Sequence, residues 1–140
     1  MKISLKIIWG IKMKKFIVSY LACLIFFSIF TSSLQFIIND PEGMKAWGSP
    51  LAMALLFIMY GSIPVFIGCL LGEFSYRKIK RSYKLNIGIP LFILLGFSYA
   101  YLMIIGLYGG YLSYSIMDFI NFSFPITLSS LVFYFIRRIN

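Results

Sequence analysis

Three long stretches of this chain carry no charged side chain: residues 16–38, 46–72 and 85–117 contain no Asp, Glu, Lys or Arg, and a shorter one, 119–136, follows Asp118. About 20 apolar residues in a helix cross a ~30 Å hydrocarbon core, so each stretch has the length of a membrane span. A helix in water needs a polar stripe opposite its buried face, and these stretches have none. Charged residues make up 12% of the 140 residues, half of what a soluble domain carries. The sequence therefore predicts an all-α, polytopic membrane protein with four transmembrane helices in one bundle. The predicted spans are 16–38, 50–72, 85–107 and 116–136, preceded by a basic segment, 1–12, that is cytoplasmic or interfacial, with residues 1–140 forming one membrane domain.

Basic residues sit between the apolar stretches. Twelve of the thirteen Lys and Arg fall in three clusters: Lys2/Lys6/Lys12/Lys14/Lys15, Arg77/Lys78/Lys80/Arg81/Lys84 and Arg137/Arg138. Lys and Arg are retained on the cytoplasmic side of a membrane. Four spans with both termini cytoplasmic place twelve basic residues inside and Lys45 alone outside; the reverse threading places the twelve outside. Aromatic residues fall near both expected interfaces, Trp47, Tyr108, Tyr111 and Tyr114 at one and Tyr76, Tyr83 and Tyr134 at the other, with Trp9 at headgroup depth in the N-terminal segment. The net charge of +9 is accounted for by threading, so no nucleic-acid partner is expected; the lipid bilayer is the expected partner. Met13-Lys14-Lys15 before an apolar run resembles a signal peptide, but the run continues to Ile38, and Thr31-Ser32-Ser33 offers small residues without an A-x-A site, which favours an uncleaved first span.

Small residues supply the clearest helix-packing signal. Ala54, Gly61, Gly68 and Gly72 fall within about 80° of one another at ~100° per residue, and Gly68 and Gly72 form a GxxxG pair that lets backbones approach closely. Gly96 and Ala100, with Gly88, give the third span a similar face. These faces predict contact between spans two and three, or between copies of the chain. Ser49 and Pro50 have the character of an N-cap and first helical residue.

Asp118, Asn121, Pro125 and Ser129 recur at helical spacing and form a possible intramembrane polar site. A carboxylate at mid-bilayer costs ~2.5–3.5 kcal/mol on insertion scales and is a functional candidate. Asp118 lies only two residues into its span, however, where a carboxylate also suits a helix cap. Pro64 and Pro125 each free a carbonyl that needs a partner in lipid. Ser28, Thr31, Ser32, Gln35, Tyr60, Ser62, Ser98 and Tyr99 serve either a polar cavity or interhelical hydrogen bonds. Cys23 and Cys69 match no redox or metal spacing and read as packing residues.

The chain has no His, which excludes His-based catalysis and His-ligated metals. It also lacks a G-x-S-x-G elbow, a P-loop and an H-E-x-x-H motif. No enzyme activity, metal or cofactor is expected.

The stretch Phe57-Ile58-Met59-Tyr60-Gly61-Ser62-Ile63-Pro64-Val65-Phe66-Ile67-Gly68, followed by an acidic residue and a basic loop, resembles a family of small four-span membrane proteins of bacilli. That resemblance implies a fold and a location in the bacterial cell membrane, and no activity. Two functions remain open at this level. One is a non-enzymatic accessory, immunity-type or regulatory protein acting through helix–helix contacts, as a homo-oligomer or with another membrane protein. The other is a small oligomeric transporter or channel using Asp118, Asn121 and the kinked spans two and four. Small multidrug exporters share the size and span count, but this first span lacks their acidic residue.

Overall fold

The computed structural model describes residues 2–39, 42, 45–79, 85–108 and 115–139, all helical apart from short connecting positions. Four helices follow one another: α1 (Lys2–Ile38), α2 (Pro50–Ile79), α3 (Leu85–Tyr108) and α4 (Ile116–Ile139), with a 3₁₀ turn at Lys45–Trp47 before α2. Each contains a segment long and apolar enough to cross a membrane: Lys12–Ile38, Pro50–Lys78, Asn86–Gly106 and Ile116–Ile139. Tyr111, Tyr114, Tyr83, the basic residues Lys80, Arg81 and Lys84, and the side chains of Trp9, Trp47 and Tyr108 lie outside the described residues.

The helices run past the apolar stretches that predict them. α1 is continuous for 37 residues, about 55 Å at 1.5 Å per residue, so the basic N-terminal segment extends the first span. α2 continues seven residues beyond Gly72, to Ile79, and α4 runs through Arg137 and Arg138 to Ile139. Glu73 therefore stands on a helix, not in the loop that its charge suggests. Nothing in these extensions breaks a helix, and Arg77, Lys78, Arg137 and Arg138 lie in last turns, where the helix dipole favours cations.

Both starts that the sequence marks have a cap. The Ala52 amide donates to Ser49 Oγ at 3.2 Å with Pro50 as the first helical residue, and Gly48, at φ +78°, turns the chain into that cap. At α4, Ser115 Oγ accepts from the Asp118 amide at 3.2 Å, while Asp118 accepts from the Ser115 amide and hydroxyl at 3.3 and 2.8 Å. This reciprocal pair is a capping box.

Neighbouring helices are antiparallel. Ser32 donates to the Pro50 carbonyl and Tyr20 to that of Ser62 at 3.2 Å, so the end of α1 meets the start of α2. α4 packs extensively on both α3 and α1, α2 packs chiefly on α1, and α2 and α3 make only slight contact. Cys23, Cys69, Phe92, Phe133 and Tyr134 form the shared core, with Phe16, Tyr20, Val65 and Leu95 packed against it.

The distribution of side chains is the reverse of a soluble protein's. Leu51, Leu55, Met59, Ile63 and Phe74 of α2 and Leu94, Leu102, Ile116 and Phe124 elsewhere are exposed, whereas Ser19, Ser28, Ser32, Ser123, Thr127, Ser129, Ala54 and Ala100 are buried. Small residues at contacts and large apolar residues outside suit helices whose surroundings are hydrocarbon. Buried hydroxyls donate within their own helix, Ser28 to Leu24 at 2.8 Å, Thr127 to Ser123 at 2.8 Å and Ser129 to Pro125 at 2.7 Å.

The small-residue face of α3 meets α4, and that of α2 meets three helices, α3 among them. A Cβ on Gly96 would lie 2.7 Å from Thr127 Cα of α4, so the small face of α3 serves α4. On α2, Gly61 faces the Phe27 ring of α1, Gly68 the Tyr99 ring of α3, and Gly72 the rings of Phe133 and Phe92. The expected result is that Gly96→Ala, which must displace backbone, lowers unfolding stability in detergent micelles by about 1–3 kcal/mol. Gly106→Ala, with nothing within 4 Å of its Cβ, is expected to stay within about 0.5 kcal/mol.

Candidate functional site

Glu73 and Arg137 are charged side chains drawn inside the protein, 6% and 7% exposed respectively. They meet because α2 and α4 both continue past their apolar stretches. Arg137 Nε donates to Glu73 Oε2 at 2.7 Å and Nη2 to Oε1 at 2.8 Å, a two-pronged ion pair between helices. Arg77, one turn beyond Glu73, adds a bond from Nε to Oε1 at 2.9 Å but stays largely exposed. The Tyr76 ring lies 5.6 Å from the Arg137 guanidinium, and packs edge-on against Tyr134 at 6.2 Å. Tyr134 in turn accepts from Arg138 at 3.2 Å and presses on α3 at Gly88, where a Cβ would collide with the phenol. Three helices therefore converge on one charged and aromatic cluster. The sequence contained one signal for it, the Glu73–Arg77 spacing of four, which is an ion-pair spacing only if the helix continues.

A second feature lies between α2 and α3, bounded on one side by this cluster. A crevice of about 250 Å³ has α2 and α3 as walls and α1 and α4 as floor. Gly61, Gly68, Gly72 and Gly96 give it width, and Phe27, Phe57, Val65, Leu95, Met103 and Phe133 line it. The Tyr99 hydroxyl donates to the Pro64 carbonyl, tying the two walls together. Cys23 and Cys69, free and buried, belong to its lining, and the Cys23 thiol donates to the Ser129 carbonyl at 3.4 Å.

The residues expected to form a polar site are spread along α4. Asp118 is exposed and engaged in the capping box, Asn121 is half-buried, and Pro125 and Ser129 are buried among the helices. Ser129 donates to Pro125 of its own helix. Near Pro64 two hydroxyls reach α2 carbonyls, Tyr20 that of Ser62 and Tyr99 that of Pro64 itself. Of the other polar residues expected near mid-membrane, Ser28 bonds within α1, Ser62 within α2, Gln35 with Asn39, and Tyr60 and Ser98 are exposed. Thr31 Oγ1 is buried without a partner. These groups build no common polar cavity; the crevice is apolar.

Of the helix-packing residues, Gly61, Gly68, Gly72 and Gly96 line the crevice, while Ala54 and Ala100 are buried outside its lining. Among the described residues no three potential metal ligands come together. Compared with known protein families, with curated proteins and with solved structures, the chain has no match.

Removing one member of a buried ion pair leaves the other charge unpaired, which typically costs about 3–5 kcal/mol. Arg77 still pairs with Glu73 after Arg137→Ala, so that change is expected to cost at most that amount, and more than Arg138→Ala, which loses one bond to Tyr134 and less than about 1 kcal/mol; unfolding titrations in detergent compare them. Ser115→Ala, removing the cap of α4, is expected to cost about 1 kcal/mol in the same measurement.

Proposed function

We propose that this chain is a non-enzymatic integral protein of the bacterial cell membrane, with both termini cytoplasmic, that acts by lateral helix contact as an accessory, immunity-type or regulatory subunit. The supporting observation is the placement of α2. It is joined to α1 along its length and to α4 by the Glu73–Arg137 pair, yet exposes Leu51, Leu55, Met59, Ile63, Ile67, Leu70 and Phe74. A helix tied by its ends and one side, with an apolar face free from end to end, suits contact with another span, in a second copy or a different membrane protein. The contacts that place residues 16, 73, 88 and 137 at one end also gather the basic residues there. Lys12, Lys14, Lys15, Arg77, Lys78, Arg137 and Arg138 share that end with one carboxylate, Glu73. This asymmetry is the basis for a cytoplasmic assignment of that end. The resemblance of 57–68 to small four-span proteins of bacilli fits the same reading. A transporter would draw on Asp118, which here closes the cap of α4.

Two experiments test the reading. In a chain lacking Cys23 and Cys69, a membrane-impermeant maleimide is expected to label Lys45→Cys on intact cells and Lys78→Cys only after lysis. The opposite pattern rejects the orientation. A photo-crosslinking residue at Met59 or Ile63 is expected to give one discrete adduct, absent when the label is at Leu102 of α3. Equal behaviour of the two faces rejects contact through α2.

A further inference from the structure

We propose that the charged end of the bundle binds the headgroups of anionic phospholipids through Lys12, Arg77, Lys78 and Arg138. This rests on the membrane reading above, but neither on which side that end faces nor on contact through the outward face of α2.

Helix continuation fixes the cations in place. Threading asks only for basic residues between spans, and a flexible loop would serve that purpose. Here α1 begins well before its apolar stretch, α2 runs on to Ile79 and α4 to Ile139, so all four residues stand on helical turns. Contacts between helices set their depth. Phe16 meets Phe133 with ring centroids 6.1 Å apart, and one turn further along each helix lie Lys12 and Arg137. Arg137 is bonded to Glu73 at 2.7 Å, Arg77 and Lys78 form the next turn of α2, and Arg138 follows Arg137. At 1.5 Å per residue the four occupy a band roughly 5–8 Å deep. A bilayer ~40–45 Å thick around a ~30 Å hydrocarbon core has headgroup layers of about that depth.

No protein carboxylate is left to neutralise the band. Of the four in the chain, Asp40 and Glu42 precede α2, and Asp118 is engaged in the cap that opens α4. Glu73 is buried with both oxygens occupied, Oε2 by Arg137 and Oε1 by Arg137 and Arg77. Arg137 balances that carboxylate. Arg77 gives it a single N–H and stays 58% exposed, so the rest of its fork is free for an anion. Lys78 Nζ lies 4.5 Å from the centre of the exposed Phe74 ring, which puts its ammonium at the apolar rim of the bundle. Arg138 donates to the Tyr134 hydroxyl at 3.2 Å and is otherwise exposed, as is Lys12. Packed helix axes are ~8–10 Å apart, about a Debye length at physiological salt, so these charges repel one another until an anion is shared between them. Phosphodiesters of headgroups are the anions at that depth, and each Lys or Arg near an anionic surface gives roughly a fivefold preference for it.

The test uses the full chain in nanodiscs of equal parts dioleoyl phosphatidylglycerol and dioleoyl phosphatidylcholine, which share acyl chains and differ in headgroup charge. Native mass spectrometry counts the lipids retained on the released protein. Phosphatidylglycerol is expected to exceed phosphatidylcholine, by less as ionic strength rises. Lys78→Gln is expected to lower that ratio roughly fivefold. Neutralising all four (Lys12→Gln, Arg77→Gln, Lys78→Gln, Arg138→Gln) is expected to abolish the preference while the parent's helical circular dichroism is kept. Lys78→Arg and Lys45→Gln are expected to keep the parental ratio. If the fourfold variant fails to fold, Lys78→Gln against Lys78→Arg decides. Equal retention of the two lipids by the parent overturns the proposal, as does a ratio that neither Lys78→Gln nor the fourfold change alters. Displacement of the phosphatidylglycerol by inorganic phosphate at constant ionic strength also overturns it, since the surface then takes a free anion. The maleimide labelling above reads orientation independently, so failure of one leaves the other standing.

Discussion

The arrangement of the four helices depends on the ion pair between Glu73 and Arg137. α2 belongs chiefly to α1, and α4 is shared between α1 and α3, so besides ring packing at Gly72 and Tyr76 the pair is what links α2 to α4. The pair fixes the end of α2 against α4, at a level set to within one turn by the two-pronged geometry of carboxylate and guanidinium. A buried ion pair is not by itself a large net source of stability, because both ions lose hydration. Its effect is positional. With α2 held at that end and tied by Tyr99 near its middle, the remaining gap between α2 and α3 becomes a defined slot.

Elsewhere the helices are joined by sparse polar contacts, close to one kind per pair. Tyr20 and Ser32 join α1 to α2, Cys23 joins α1 to α4, Ser130 joins α4 to α3, and Tyr99 joins α3 to α2. Each donates to a backbone carbonyl, two of them at or beside Pro64. Such bonds contribute on average about 0.6 kcal/mol in membrane helices, so they select the arrangement more than they hold it. Packing of rings against glycines supplies the rest: Phe27 on Gly61, Phe133 on Gly72, Tyr134 on Gly88. Large apolar side chains are left outside, where in hydrocarbon they incur no penalty.

The sequence made the helices legible and their partners illegible. Uncharged stretches located all four, and Ser49-Pro50 and Asp118 marked two starts, because a span length and a cap are local properties. Charge set the expected ends of spans two and four at 72 and 136, whereas the helices continue through Glu73 and Arg137, since hydropathy records where hydrocarbon ends and not where the backbone ladder stops. Glycine spacing marks faces without fixing their neighbours: Gly68 of α2 meets Tyr99 of α3, whereas Gly96 meets α4, and nothing in the sequence at Gly96 distinguishes α4 from α2. The stripe Asp118, Asn121, Pro125, Ser129 is real as a helix face, yet its members differ in depth and surroundings, from an exposed cap to a buried hydroxyl. A cavity formed by four helices has no sequence signature at all.

The most direct test of the positional role of the ion pair is a double-mutant cycle on Glu73→Gln and Arg137→Met, read by unfolding free energy in detergent. The account predicts that each single change is severe and the double change milder than their sum, with a coupling of at least about 1.5 kcal/mol between the two sites. Losses that add to within about 0.5 kcal/mol would mean that the two side chains do not act as a unit, and would contradict it.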